Sequence, residues 1–158
     1  MHNPYLMFIV FLISYISFFI CYQLALTFIS LSPPLKQSLL PVLISAVIAY
    51  ISKIYLSAPA PVHTVVVVIL CAGMLRLFNP ISFLLSLIGS LLTVITLTLG
   101  SMILACPVFA KLGYTIPAKF AESPWLLLNL LELIIPILVL IILKVSKFSL
   151  IKYFSNER

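Results

Sequence analysis

Glu132 is the residue in this sequence whose type and position most directly suggest chemistry. It is the only carboxylate inside an apolar run, WLLLNLLELIIPILVLIIL, which begins at Trp125. On a helix its side chain lies about 10 Å below that tryptophan, a depth at which an acid is costly and faces a partner or water. We predict Lys53 or His63 as the partner, because both are expected at the same depth on neighbouring helices.

Pro136 adds a second feature at the same place. It follows Glu132 by four residues and has no N–H, so the Glu132 carbonyl loses its helical donor and the helix should kink. We interpret Glu132, Pro136, His63 and Lys53 as a ligand contact or signalling hinge. The alternative is a structural hydrogen bond from Glu132 that fixes the bundle.

His63 and Cys71 suggest a different chemistry, that of a membrane cysteine peptidase that processes pheromones. On a helix the two side chains lie about 80° apart around the axis and about 12 Å apart along it, too far for the hydrogen bond that activates a thiol. The three cysteines, Cys21, Cys71 and Cys106, show no metal-type spacing. We therefore predict no catalytic residue, no metal site and no cofactor.

Small residues recur along the apolar run that precedes the main polar loop. Their spacing places them on one side of a helix, and small residues let helices in lipid approach closely. We predict a helix-packing face, and a path for a polar solute is the alternative. The face consists of Ser82, Ser86, Gly89, Ser90, Thr93 and Gly100, with Thr96 beside it.

The composition shows what kind of protein must position these residues. Of the 158 residues, 64% are apolar and only 8% are charged, against about 25% charged in soluble domains. This excludes a soluble enzyme, a disordered region and a secreted disulfide scaffold, and it indicates an integral membrane protein. The basic residues gather in the C-terminal tail, which favours contact with anionic lipid over nucleic acid.

The apolar runs predict an all-α polytopic membrane helix bundle with about five transmembrane helices. Residues 1–143 form the bundle, 110–124 an extracellular loop and 144–158 a basic cytoplasmic tail. The predicted spans are residues 5–29, 38–56, 62–78, 81–104 and 125–143, with Pro107 limiting the fourth.

Charge asymmetry predicts the orientation of this bundle. With the N-terminus outside and the C-terminus inside, six basic residues face the cytoplasm and three face outward, and the opposite orientation reverses that ratio. The inner set is Lys36, Arg76, Lys144, Lys147, Lys152 and Arg158, and the outer set is Lys53, Lys111 and Lys119.

Residues 31 to 143 resemble the N-terminal membrane module of Gram-positive GHKL-type sensor histidine kinases, including relatives that sense peptide pheromones. The resemblance rests on loose and mostly apolar motifs, and the last of them contains Glu132. They are PAPVHTVVVVIL with Pro61, His63 and Thr64, RLFNPISFLLSLIGSLL, KLGYTIPAKFAESP and LLELIIP. The resemblance implies a sensor input module.

Kinase activity is not implied, because fifteen residues follow the last span and contain neither a phosphoacceptor-histidine segment nor a nucleotide-binding box. We expect a non-enzymatic sensory or regulatory module in a bacterial plasma membrane. The expected partners are the lipid bilayer, a full-length sensor kinase or a second copy of this chain, and a peptide or other amphipathic ligand. A small transporter or a subunit of a membrane complex is the alternative function.

Overall fold

The computed structural model describes residues 4–55, 60–114 and 123–146, and every regular element in these ranges is a helix. The predicted all-α helix bundle is therefore confirmed. A π-helical turn, Ser101–Ala105, joins the fourth and fifth helices. The helices are α1 Pro4–Phe28, α2 Leu35–Tyr55, α3 Ala60–Phe78, α4 Phe83–Gly100, α5 Cys106–Leu112, α6 Ser123–Glu132 and α7 Ile134–Ser146.

Four helical runs are long and apolar enough to cross a membrane, so the chain is a multi-pass membrane protein. They are Met7–Phe28, Leu35–Ser52, Phe83–Leu112 and Leu126–Ser146. The apolar helix Thr64–Phe78, within the predicted third span, is shorter than these four. Hydrocarbon about 30 Å thick needs roughly 20 helical residues, so the 30 residues of Phe83–Leu112 are more than one crossing requires.

Helix α1 is the central helix of the bundle and packs against α2, α4 and α7. Its second half supplies most of the core, because Tyr22, Ala25 and Leu26 are buried against Val42 of α2 and Leu75 of α3. The outward faces of the helices carry exposed leucine, isoleucine and valine side chains. This distribution suits a bundle whose outer surface is solvated by lipid.

Two polar contacts tie the end of α1 to its neighbours. The buried Gln23 amide donates to the Ser38 hydroxyl of α2 at 2.8 Å. The Asn79 amide, directly after α3, donates to the Tyr22 hydroxyl at 3.1 Å and to the Leu75 carbonyl at 3.0 Å. Polar side chains that bond across helices fix their register in lipid, so these contacts hold one end of the bundle together.

The fourth predicted span ends later than the sequence suggests. We expected Pro107 to limit the helix, but α5 carries it on to Leu112, where Gly113 in a left-handed conformation (φ 73°) closes it. Proline normally breaks a helix because it lacks a donor and its ring crowds the preceding turn. Here the preceding turn is π-helical, with the Cys106 N–H bonded to the Ser101 carbonyl, and this wider turn accommodates the ring.

Candidate functional site

The helix that contains Glu132 is interrupted where Pro136 predicts a kink. Helix α6 ends at Glu132, and α7 begins at Ile134. The Ile137 N–H donates to the Leu133 carbonyl at 3.0 Å, so normal helical bonding resumes one residue after the break. Because Pro136 has no N–H, the Glu132 carbonyl has no donor from the next turn.

Gly100 of α4 lies directly against that carbonyl. A Cβ atom added at Gly100 would collide with the Glu132 carbonyl oxygen, and it would lie 3.3 Å from the Glu132 carbonyl carbon and 3.4 Å from Ile135 Cβ. Only glycine allows two backbones to approach this closely. The position therefore needs glycine because of the neighbouring helix.

The π-helical turn begins at the residue after Gly100. Its first residue, Ser101, lies near the Glu132 side chain, and its hydroxyl is 3.9 Å from the Cys106 sulfur. Turns of this type are rare and frequently occur at functional sites. An irregular turn in one helix thus meets a break in another, and we call Gly100, Ser101, Glu132 and Pro136 the junction.

The junction lies at membrane depth. Glu132 follows Leu126, the start of the last apolar run, by six residues, which is about 9 Å along a helix. Its side chain is half-buried and Pro136 is buried. An ionisable group at this depth makes the junction the candidate functional site.

Lys53 and His63, the partners predicted for Glu132, belong to α2 and α3. Their side chains lie outside the described residues, as do most of loop 110–124 and the tail from Lys147 onward. Pairing of Glu132 with either side chain therefore stays a prediction. Among the described side chains, Ser101 is a polar group that lies near Glu132.

The predicted packing face of α4 lies inside the bundle. Gly89 faces α1 so closely that an added Cβ atom would be 3.1 Å from the Ala25 carbonyl oxygen and 3.1 Å from Ile29 Cγ2. The buried residues of α4 are Ser86, Gly89, Ser90, Thr93, Thr96 and Gly100. The small side chains therefore bring α4 against its neighbours.

Most hydroxyls on this face bond to their own helix. Ser86 donates to the Ser82 carbonyl at 3.0 Å, Thr93 to the Gly89 carbonyl at 2.9 Å and Thr96 to the Leu92 carbonyl at 2.8 Å. A hydroxyl that is bonded in this way needs no water or solute. Ser86, Thr93 and Thr96 therefore let α4 pack closely while their own hydroxyls stay satisfied in lipid.

Ser82 differs from the rest of the predicted face. It is exposed and precedes the first turn of α4, where its hydroxyl accepts a hydrogen bond from the Leu85 N–H at 3.3 Å. Its spacing matches the face, but its position after Asn79-Pro80 makes it the N-cap of the helix. Serine is a preferred residue there, because it satisfies a donor that the helix leaves free.

Ser101 was not predicted from the sequence to be part of the site. The sequence feature that could have indicated it is the Gly100-Ser101 pair, with Cys106-Pro107 beginning five residues after Ser101. A proline beyond a small-residue pair in a long apolar run is compatible with a helix end, a kink or a π-helical turn. Contact with α6 distinguishes these outcomes, and a single sequence does not contain that contact.

Comparison with known proteins found no match: no family model, no curated protein and no solved structure matches the chain. Function is therefore inferred from the geometry of the junction and from the residues of the sequence.

Proposed function

We propose that this protein is a membrane sensory or regulatory module that acts through conformational change and not through catalysis. The observation that supports the proposal most is the junction, where the π-helical turn after Gly100 meets the broken helix at Glu132. We infer that these two irregular helices can adopt two packings against each other, which is the kind of two-state element that switching proteins use.

The direction of the signal follows from the order of the helices. A peptide or other amphipathic ligand binds at the outer side of the membrane, near α6 and Glu132, and changes how α6 packs against α4. The break at Leu133 lets α7 respond as a separate segment. Helix α7 ends near Lys144, so its movement reaches the basic tail and a partner at the cytoplasmic face.

The cellular setting follows from the charge count and from the resemblance. The excess of basic residues on one side supports an orientation with the N-terminus outside. The resemblance to input modules of sensor histidine kinases supports a Gram-positive plasma membrane and a role in two-component signalling. The expected protein partner is a full-length sensor kinase or a second copy of the chain.

The packing of α4 makes the transporter alternative weaker than the sequence suggested. A solute path needs polar groups that face a channel, but Ser86, Thr93 and Thr96 are buried and bonded to their own backbone. The face therefore serves helix packing in the described part of the chain. A subunit of a membrane complex remains compatible with such a bundle, and identification of its partner distinguishes it from a sensor.

The peptidase alternative gains no support from the described residues. Cys71 is buried, and the crevice that it lines is otherwise formed mainly by aliphatic side chains of α1, α3 and α4. A nucleophilic thiol needs a neighbouring base, and no imidazole or carboxylate lines this crevice among the described residues.

The experiment is cross-linking of the tagged protein in native membranes, followed by identification of the cross-linked partner. A sensory role predicts a signalling protein, such as a kinase or a response regulator, whose phosphorylation changes when the chain carries Gly100→Ala. The control is Gly73→Ala, because an added Cβ atom there meets nothing within 4 Å. A transport ATPase or permease as the partner would contradict the proposal.

A further inference from the structure

Two cysteines and a serine from three helices line a crevice that the proposed function does not use. Cys21 of α1, Cys71 of α3 and Ser90 of α4 line a space of about 30 Å³. The other lining residues are mainly aliphatic, among them Val67 and Leu97. The space is large enough for one small occupant, since a cavity that holds a single water needs about 10–15 Å³.

Ser90 is the first indication that this crevice has an occupant. It is only 2% exposed, and its hydroxyl has no hydrogen-bond partner in the described part of the chain. Ser86, Thr93 and Thr96 on the same helix all donate to the carbonyl four residues earlier. A buried hydroxyl left unpaired is unfavourable and calls for an explanation.

The two thiols are the second indication. Cys21 and Cys71 are both free cysteines, Cys71 is buried, and the two residues line the same crevice from different helices. Sulfur ligands select soft metal ions such as Cu(I), whereas Mg²⁺ and Ca²⁺ prefer oxygen. Structural zinc almost always takes four ligands, and the described lining offers only two sulfurs.

We propose that this crevice binds one soft monovalent cation of the Cu(I) class between the sulfurs of Cys21 and Cys71. One thiol loses its proton as its sulfur bonds to the metal, so the proton leaves as the cation enters and no atom changes oxidation state. The metal thiolate is then neutral, which suits an apolar site.

Ser90 has a defined role in this site. Its hydroxyl donates a hydrogen bond to the metal-bound sulfur. Although the metal thiolate is neutral overall, its sulfur keeps a partial negative charge, which this hydrogen bond stabilises. Thr93 lines the same crevice, but its hydroxyl already donates to the Gly89 carbonyl. Ser90 is thus the lining hydroxyl that is free to serve the thiolate.

The experiment is titration of the full-length protein in detergent micelles with Cu(I), without oxygen and against the colour-forming chelator bicinchoninate. We expect the wild-type protein to take one Cu(I) per chain from the chelator. The Cys21→Ala and Cys71→Ala variants should take none. Ser90→Ala should weaken affinity about tenfold, as loss of an outer-shell partner does. The matched controls are Cys106→Ala and Ser14→Ala, and both should keep the wild-type affinity. Ser14 is a suitable control because its hydroxyl donates to the Val10 carbonyl.

Equal affinity in the wild type and in either crevice cysteine variant would overturn the proposal, and so would loss of binding in Cys106→Ala. A second measurement on the wild-type protein covers the case in which a cysteine variant does not fold. X-ray absorption of the Cu(I)-loaded protein should show two sulfur ligands. A copper environment of nitrogen or oxygen, or of a single sulfur, would contradict the site.

Discussion

The backbone of Gly100 touches the carbonyl oxygen of Glu132, with no room between them for a Cβ atom. Directly after Gly100, the first helix has its π-helical turn, Ser101–Ala105. Directly after Glu132, the second helix is broken. The carbonyl is available because Pro136 cannot donate to it. A close packing contact, a π-helical turn and a proline break are therefore one structural feature.

The first prediction concerns Gly100 itself. Gly100→Ala should lower the free energy of unfolding by about 1–3 kcal/mol, the usual cost of overpacking, because the added methyl group meets backbone that cannot move aside. Gly73→Ala should be neutral or slightly stabilising, since its Cβ atom meets nothing within 4 Å and alanine favours a helix. Reversible unfolding in mixed micelles measures both, and equal stability of the two variants would show that the contact is not close.

The second prediction concerns the Glu132 side chain. If the acid is neutral and bonds to Ser101, Glu132→Gln should be tolerated, because glutamine keeps the shape and the hydrogen bond. Glu132→Leu should lose about 1–2 kcal/mol, since it leaves the Ser101 hydroxyl without that partner in the membrane. Thermal unfolding of both variants in detergent is the measurement.

Double-mutant cycles decide which residue is the partner of Glu132. The structure predicts coupling with Ser101→Ala above about 0.5 kcal/mol, the additivity error of independent sites. Coupling with Lys53→Met or His63→Leu instead, together with destabilisation by Glu132→Gln, would indicate an ion pair. No coupling with any of the three would leave the acid facing a ligand or water.

The sequence predicted the polar half of the junction but not its contacts. Glu132 and Pro136 stand out because one is an acid within an apolar run and the other lacks a donor at the critical spacing. Gly100 was assigned to a packing face, but its contact with the Glu132 backbone was not predictable, since it depends on how α4 and α6 cross. Residues 101–122 separate the two helices in the sequence, and their sequence does not give the register of one helix against the other.

The irregular turn shows a different limit of sequence reasoning. Pro107 was expected to end the fourth span, and the helix continues because the π-helical turn from Ser101 to Ala105 accommodates the ring. Whether a proline ends a helix or follows a wider turn depends on tertiary packing, which outweighs local preference. Ser82, in contrast, could have been assigned correctly from the sequence. The preference of serine for the N-cap position could have separated it from the packing face.

The third prediction tests the packing face of α4. Ser86→Leu should destabilise the bundle by about 1–3 kcal/mol, because a large side chain at a fully buried position forces α4 away from its neighbours. Leu91→Ile is the control, as Leu91 is exposed on the outer surface. Unfolding in mixed micelles measures the stability of both variants. A similar loss of unfolding free energy in both would show that this face is no more important for helix packing than the outer surface.

The fourth prediction is the orientation of the chain. The charge count places Lys144 inside the cell and Lys111 outside, and both side chains are exposed. A membrane-impermeant maleimide should therefore label Lys111→Cys in intact cells, in a background without native cysteines, and should label Lys144→Cys only after lysis. The reverse pattern would invert the proposed topology and the direction of the signal.

The fifth prediction addresses the central claim, that the junction switches between two packings. Spin labels at Lys36→Cys and Lys144→Cys report on α7 relative to α2, and labels at Lys36→Cys and Arg76→Cys report on two helices away from the junction. All three native side chains are exposed. The native cysteines are replaced by alanine in both pairs, and pulsed electron paramagnetic resonance in lipid nanodiscs measures the distances.

A switch predicts two distances between α2 and α7, with populations that Gly100→Ala shifts, because the added Cβ atom collides with the Glu132 carbonyl oxygen in the close packing. The α2–α3 pair should give one distance that the substitution leaves unchanged. A single narrow α2–α7 distance, the same with glycine and with alanine at position 100, would contradict the account and would make the junction a fixed structural contact.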